Sequence, residues 1–284
     1  MERKENHTII NQSNRFYITI GGIALIVIGA LILLDRWLKT GWLALAALPL
    51  MGILFLIRGI RTRELKMIIP GAILSGLGLG IIIFLGIIFE TSWTNRIGLG
   101  LLAFGMGWLL VPMLTLQYSN QTAWWALVPG GLICGLGAFF IYSPMQPLDL
   151  VLYLSVSLGL VFLIWGIVCH LFRLIIPGCL LITIGPSIYL AWGTPGDQNI
   201  LTRTGIMLVG FALGWLLITI LSRTITSKFI WWPLIPGGVL AMVGWGVYIA
   251  GNPNNAAIFI GNTGSIGLIL FGIYLLLLRK GIQG

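Results

Sequence analysis

Apolar residues in this chain fall into runs of about twenty, separated by short clusters that hold most of the charge. About 20 apolar residues in a helix span a hydrocarbon core of about 30 Å. Ten runs meet that length: residues 16–34, 41–60, 66–89, 97–117, 123–142, 149–172, 173–193, 203–222, 229–250 and 257–279. The cut near residue 172 is the faintest, because only His170 and Arg173 interrupt the apolar pattern there. The predicted fold is all-α: a polytopic integral membrane protein with about ten transmembrane helices in five hairpins. Residues 1–15 form a polar tail, and no small-residue cleavage site clearly follows the first run, so that run is expected to be a retained helix.

The pattern also repeats. Shifted by 107 residues without gaps, residues 52–142 fall on 159–249 with 30 of 91 positions identical. Whole words coincide, among them Ile68-Ile69-Pro70-Gly71 with Ile175-Ile176-Pro177-Gly178, and Trp124-Trp125 with Trp231-Trp232. A period of this kind is the mark of an internal duplication. Each unit carries four spans, an even number, so both copies keep one orientation. They are predicted to be parallel repeats rather than the inverted repeats of many secondary transporters. The expected organisation is the tail (1–15), a divergent leading hairpin (16–60), a first unit (61–172, repeat core 66–142) and a second unit with the final helix (173–284, repeat core 173–249). Together these form one continuous membrane domain.

Composition agrees: 58% of residues are hydrophobic and 8% charged, against about 25% charged in soluble domains. The net charge of +9 lies in scattered groups that suit lipid headgroups, with no concentrated basic patch for nucleic acid. With the N-terminus inside, twelve Lys and Arg fall on the inner side and four on the outer. The positive-inside rule then puts both termini in the cytoplasm.

Within the repeat, four Pro-Gly pairs are read as helix starts or kinks: Pro70-Gly71, Pro129-Gly130, Pro177-Gly178 and Pro236-Gly237. Their plainest role is folding punctuation. A broken-helix binding site is the functional alternative. Gly76/Gly80, Gly131/Gly135 and Gly210/Gly214 give small-xxx-small spacing for close helix packing. Trp108 and Trp215 sit at equivalent mid-span places, where a buried indole N–H needs a partner. Glu90 and Arg96 align with Asp197 and Arg203, an acid followed six positions later by arginine in both outer loops. They are candidates for a recognition surface, or for weak exposed ion pairs.

No carboxylate, lysine or arginine lies near the middle of any span, which argues against proton coupling. The midplane polar groups are hydroxyls, at Ser75, Ser155, Ser157, Thr183, Ser187 and Ser265, and hydroxyls commonly bond their own preceding turn. Three cysteines without metal spacing and two distant histidines give no catalytic, metal or haem constellation, so neither an enzyme nor a cofactor is expected.

The leading hairpin reads Gly22 to Gly29, Leu33-Leu34-Asp35, Trp42, Pro49, then Gly52 through Gly59. Over residues 16–60 this resembles the transmembrane region of LiaI/LiaF-type bacterial envelope-stress proteins. The resemblance implies a bacterial inner-membrane location. It covers the hairpin and not the soluble domain of the LiaF type. The expected function is non-enzymatic: helix–helix contact as a scaffold, sensor or accessory subunit of a membrane complex. The expected partners are the lipid bilayer and other membrane proteins or a second copy. The alternative is a passive carrier or channel for a lipid-like or apolar small molecule.

Overall fold

The computed structural model describes residues 43–87, 91–119, 121–142, 146–193, 199–226 and 230–253, with isolated positions at 22–37, 261 and 265. The first and tenth predicted spans therefore lie outside the continuously described residues. Among the described residues there are eight long helices: α1 (Leu43–Thr62), α2 (Leu65–Phe84), α3 (Trp93–Tyr118), α4 (Leu127–Tyr142), α5 (Pro147–Val168), α6 (Phe172–Trp192), α7 (Ile200–Thr226) and α8 (Leu234–Gly251). A 3-10 turn at Trp124–Ala126 leads into α4. All eight, counting that turn with α4, are long and apolar enough to cross a membrane.

The packing is inside-out by the standards of a water-soluble bundle. On α2 the buried residues are Ile68, Gly71, Ala72, Ser75, Gly76, Gly78 and Gly80, nearly all small. Large side chains point outward instead, with Met113 67% and Met242 78% exposed. In lipid there is no hydrophobic gain in hiding a leucine, so helices associate where small residues let backbones approach. That arrangement is what an apolar, glycine-rich sequence yields when its solvent is a bilayer.

The chain divides into two compact units, residues 1–146 and 147–284. Within the first, α1 packs on α2, α2 on α3 and α3 on α4; within the second, α5 to α8 follow the same sequential order. The helix starts at Leu65, Trp93 and Leu127 have counterparts at Phe172, Ile200 and Leu234, each 107 residues later.

The faint cut near residue 172 is a tight turn. Val168 ends α5, His170 adopts φ 53°, and α6 begins at Phe172. Its N–H donors close the turn, with Leu171 N donating to Gly166 O at 2.8 Å. The same device joins α1 to α2: Arg63 has φ 54° and Glu64 N donates to Gly59 O at 3.2 Å. This is a Schellman ending with a left-handed residue after the helix, a place usually filled by glycine. Here it is filled by Arg63 and His170.

Candidate functional site

The four Pro-Gly pairs resolve into two kinds of place. Pro129 and Pro236 are the third residues of α4 and α8, where the missing N–H has no helical acceptor to lose. Pro70 and Pro177 lie one turn further in, inside α2 and α6. What the pairs share is the glycine. An added Cβ would lie 2.7 Å from Leu56 N at Gly71 and 2.9 Å from Leu163 N at Gly178. It would lie 2.9 Å from Leu109 Cδ2 at Gly130 and 2.8 Å from Trp215 Cβ at Gly237. Each Pro-Gly glycine is thus a point of close approach by the neighbouring helix, and the tolerance of glycine for that approach is its use here.

Above Gly130 and Gly237 stand the two mid-span tryptophans. Trp108 meets the edge of Trp125, with ring centroids 5.8 Å apart at 75°. Trp215 meets Trp232 in the same way, at 5.9 Å and 73°. Edge-to-face contact is the favoured geometry for two indoles. The second tryptophan of each Trp-Trp word thus sets its ring against the mid-span tryptophan of its own unit while staying about half exposed. Trp108 packs against the cluster of Ala72, Val111, Ala123 and Ala126, and Trp215 against Ile175, Cys179 and Ile218. The indole Nε1–H of each is buried and meets no hydrogen-bond acceptor.

A pair outside the identities holds the same end of each unit. The Thr115 hydroxyl is fully buried and donates to Val111 O at 2.8 Å, while accepting Ala123 N–H at 3.2 Å. Its counterpart Ser222 donates to Thr219 O at 2.6 Å and accepts Ile230 N–H at 3.2 Å. One hydroxyl thereby ties the end of a long helix to the strand of chain that leads into the tryptophans, eight residues on. Thr and Ser at positions 107 apart were the available signal, and a search for identical residues passes over it.

At the opposite end of the hairpins, Arg96 and Arg203 both occupy the first turn of their helices, their N–H groups donating to Ser92 O and Asn199 O. Arg96 Nε donates to Thr91 O at 3.0 Å, and its guanidinium lies against Gly86, whose φ of +76° puts it in the left-handed region. The Arg203 guanidinium sits 5.6 Å from the centroid of the Trp192 ring. Both side chains thus lean on the C-terminal end of the preceding helix, where exposed carbonyls favour a cation. Glu90 and Asp197 lie outside the described residues.

The six midplane hydroxyls all donate to a carbonyl of their own helix: Ser75 to Ala72, Ser155 to Leu152, Ser157 to Leu154, Thr183 to Cys179 and Leu180, Ser187 to Thr183, and Ser265 to Gly261. Such back-bonding satisfies the hydroxyl in lipid without a partner helix. Asp149, buried in the first turn of α5, sits where free N–H groups favour an acid. Among the described residues no group of three or more His, Cys, Asp and Glu is placed to hold a metal ion. No protein-family model, curated protein or solved structure matches the chain.

Proposed function

We propose that the chain is a non-enzymatic multi-pass protein of a bacterial inner membrane, acting through helix–helix contacts as a scaffold, sensor or accessory subunit of a membrane complex. The observation that carries this reading is the inside-out packing: small residues, mainly glycine, occupy most of the contacts, and most bulky apolar side chains are left for lipid or a partner. The hydroxyls that would otherwise line a polar path are spent on their own helices. On α8, Gly238 and Gly246 face open space among the described residues, so a helix could approach there as closely as helices do inside each unit.

The matching helix starts and matching contacts support reading the two units as parallel copies of one four-helix element, while the ten apolar runs and the twelve-to-four split of Lys and Arg support ten spans and cytoplasmic termini. The resemblance of residues 16–60 to LiaI/LiaF-type hairpins supports the bacterial envelope setting. A passive carrier of an apolar molecule is the second reading, favoured by the apolar groove described below. Purification in mild detergent, with mass spectrometry of what co-purifies, tests the choice. The scaffold reading expects a stoichiometric membrane-protein partner or a defined oligomer. A monodisperse monomer with neither contradicts it.

A further inference from the structure

Between α2 and α3 of the first unit runs an apolar groove of about 260 Å³. Its floor is Gly80 and Gly100, and its walls include Ile81, Phe84, Ile97 and Phe104. The floor exists because the two backbones touch. An added Cβ at Gly80 would lie 2.6 Å from Gly100 O, and one at Gly100 would lie 2.8 Å from Gly80 O. No side chain can fill such a floor, while the bulky neighbours rise on either side. The groove follows the helices from Leu77 to Phe84, about 10 Å at 1.5 Å per residue, or about a third of a hydrocarbon core. In a bilayer, a narrow apolar trough of that length suits a stretch of acyl chain.

The trough ends at charge. Phe84 meets the edge of Trp93 at 5.0 Å, and Trp93 is 63% exposed, a pattern typical of an aromatic residue at the headgroup level. The Arg96 guanidinium lies against Gly86, two residues past Phe84. An apolar groove that opens beside a cation at the headgroup level is complementary to one molecule: an amphiphile with an acyl chain and an anionic head.

We propose that the α2–α3 groove is a binding site for an anionic phospholipid, with an acyl chain in the groove and its phosphate on Arg96. The groove orients the lipid and the arginine selects it, since an acyl chain gains little by leaving other acyl chains. One basic residue near the surface contributes about 1 kcal/mol toward an anionic lipid, which is about fivefold. The second unit lacks the same floor: Ser187 and Met207 stand in place of Gly80 and Gly100, and Arg203 lies over Trp192. The proposal rests on membrane embedding and is independent of the partner reading above.

The test is native mass spectrometry of the full chain in mild detergent, with phosphatidylglycerol and phosphatidylethanolamine offered in equal amounts. The expected result is one retained phosphatidylglycerol, preferred about fivefold. Ile81→Trp and Ile97→Trp, which fill the groove from opposite walls, should each abolish retention. Arg96→Gln should make the two lipids equal, while Arg203→Gln should leave the preference intact. Equal retention of both lipids by the unaltered chain would overturn the site. So would displacement of the lipid by inorganic phosphate, or a lipid-free dimer dissociated by Ile81→Trp. If the tryptophan variants do not fold, the two arginine variants decide: identical behaviour of Arg96→Gln and Arg203→Gln overturns the proposal.

Discussion

The two units solve one packing problem with two kinds of contact. At their outer helix pairs they share a glycine-to-carbonyl contact. Gly98 and Gly205 each face a carbonyl on the next helix, Gly137 O and Gly244 O, at 2.7 Å from an added Cβ. At the middle pair they differ. In the first unit Gly76 meets Gly107, with an added Cβ 2.6 Å from its Cα. In the second unit the corresponding residue is Thr183, and its Oγ1 presses against Gly214; likewise Ser187 Oγ presses against Gly210. A hydroxyl already bonded to its own helix is small and satisfied, so one glycine opposite it is enough. Two glycines bring the backbones themselves together, and where Gly80 and Gly100 do so the walls left standing around them make the groove of the first unit.

The largest expected effects test the shared contacts. Gly98→Ala and Gly205→Ala drive a Cβ into backbone atoms and should each destabilise by about 1–3 kcal/mol, read by thermal or chemical unfolding in detergent. The cost should be alike in the two units. Gly238→Ala, with open space around it among the described residues, should cost nothing and gain up to about 1 kcal/mol of helix propensity. A similar loss at all three positions would remove the contact argument.

Next come the hydroxyl ties. Thr115→Val leaves the buried N–H of Ala123 without an acceptor, an expected loss of about 1–3 kcal/mol, and Ser222→Ala does the same to the half-buried N–H of Ile230, at the lower end of that range. Hydrogen exchange at those two amides should rise with it. Exchange rates unchanged by either substitution would show that the ties carry no load.

Smaller, and of opposite sign, are the turns. Glycine at Arg63 or His170 relieves a left-handed backbone and should stabilise by about 1 kcal/mol, visible as a raised melting temperature. Smallest are the tryptophans. Trp108→Phe and Trp215→Phe remove an indole N–H that has no acceptor, so each should shift stability by less than about 1 kcal/mol. A large loss at one and not the other would mean that one indole serves a partner its counterpart lacks.

The spans were legible because bilayer thickness sets a length that the apolar runs display directly; α1 to α8 lie where eight of the runs predicted helices. The turn at His170 was barely legible, since a left-handed histidine leaves no glycine or proline to mark it. The Pro-Gly pairs were visible as words, but their meaning was split: proline advertised a helix start, while glycine made the contact. Thr115 and Ser222 were hidden because their role depends on which backbone N–H folds back to them. The groove was hidden for a related reason: Gly80 and Gly100 are ordinary glycines until two helices bring them together.

Parallel duplication is the central claim about the architecture, and sidedness tests it most directly. In a chain with Cys134, Cys169 and Cys179 replaced by alanine, single cysteines at the exposed positions Ser92 and Asn199 are probed in sealed cells with a membrane-impermeant thiol reagent. Parallel copies predict that Ser92→Cys and Asn199→Cys both react from outside, while Arg63→Cys and His170→Cys stay protected until the membrane is opened. Reaction of Ser92→Cys and Asn199→Cys from opposite sides of the membrane would contradict it.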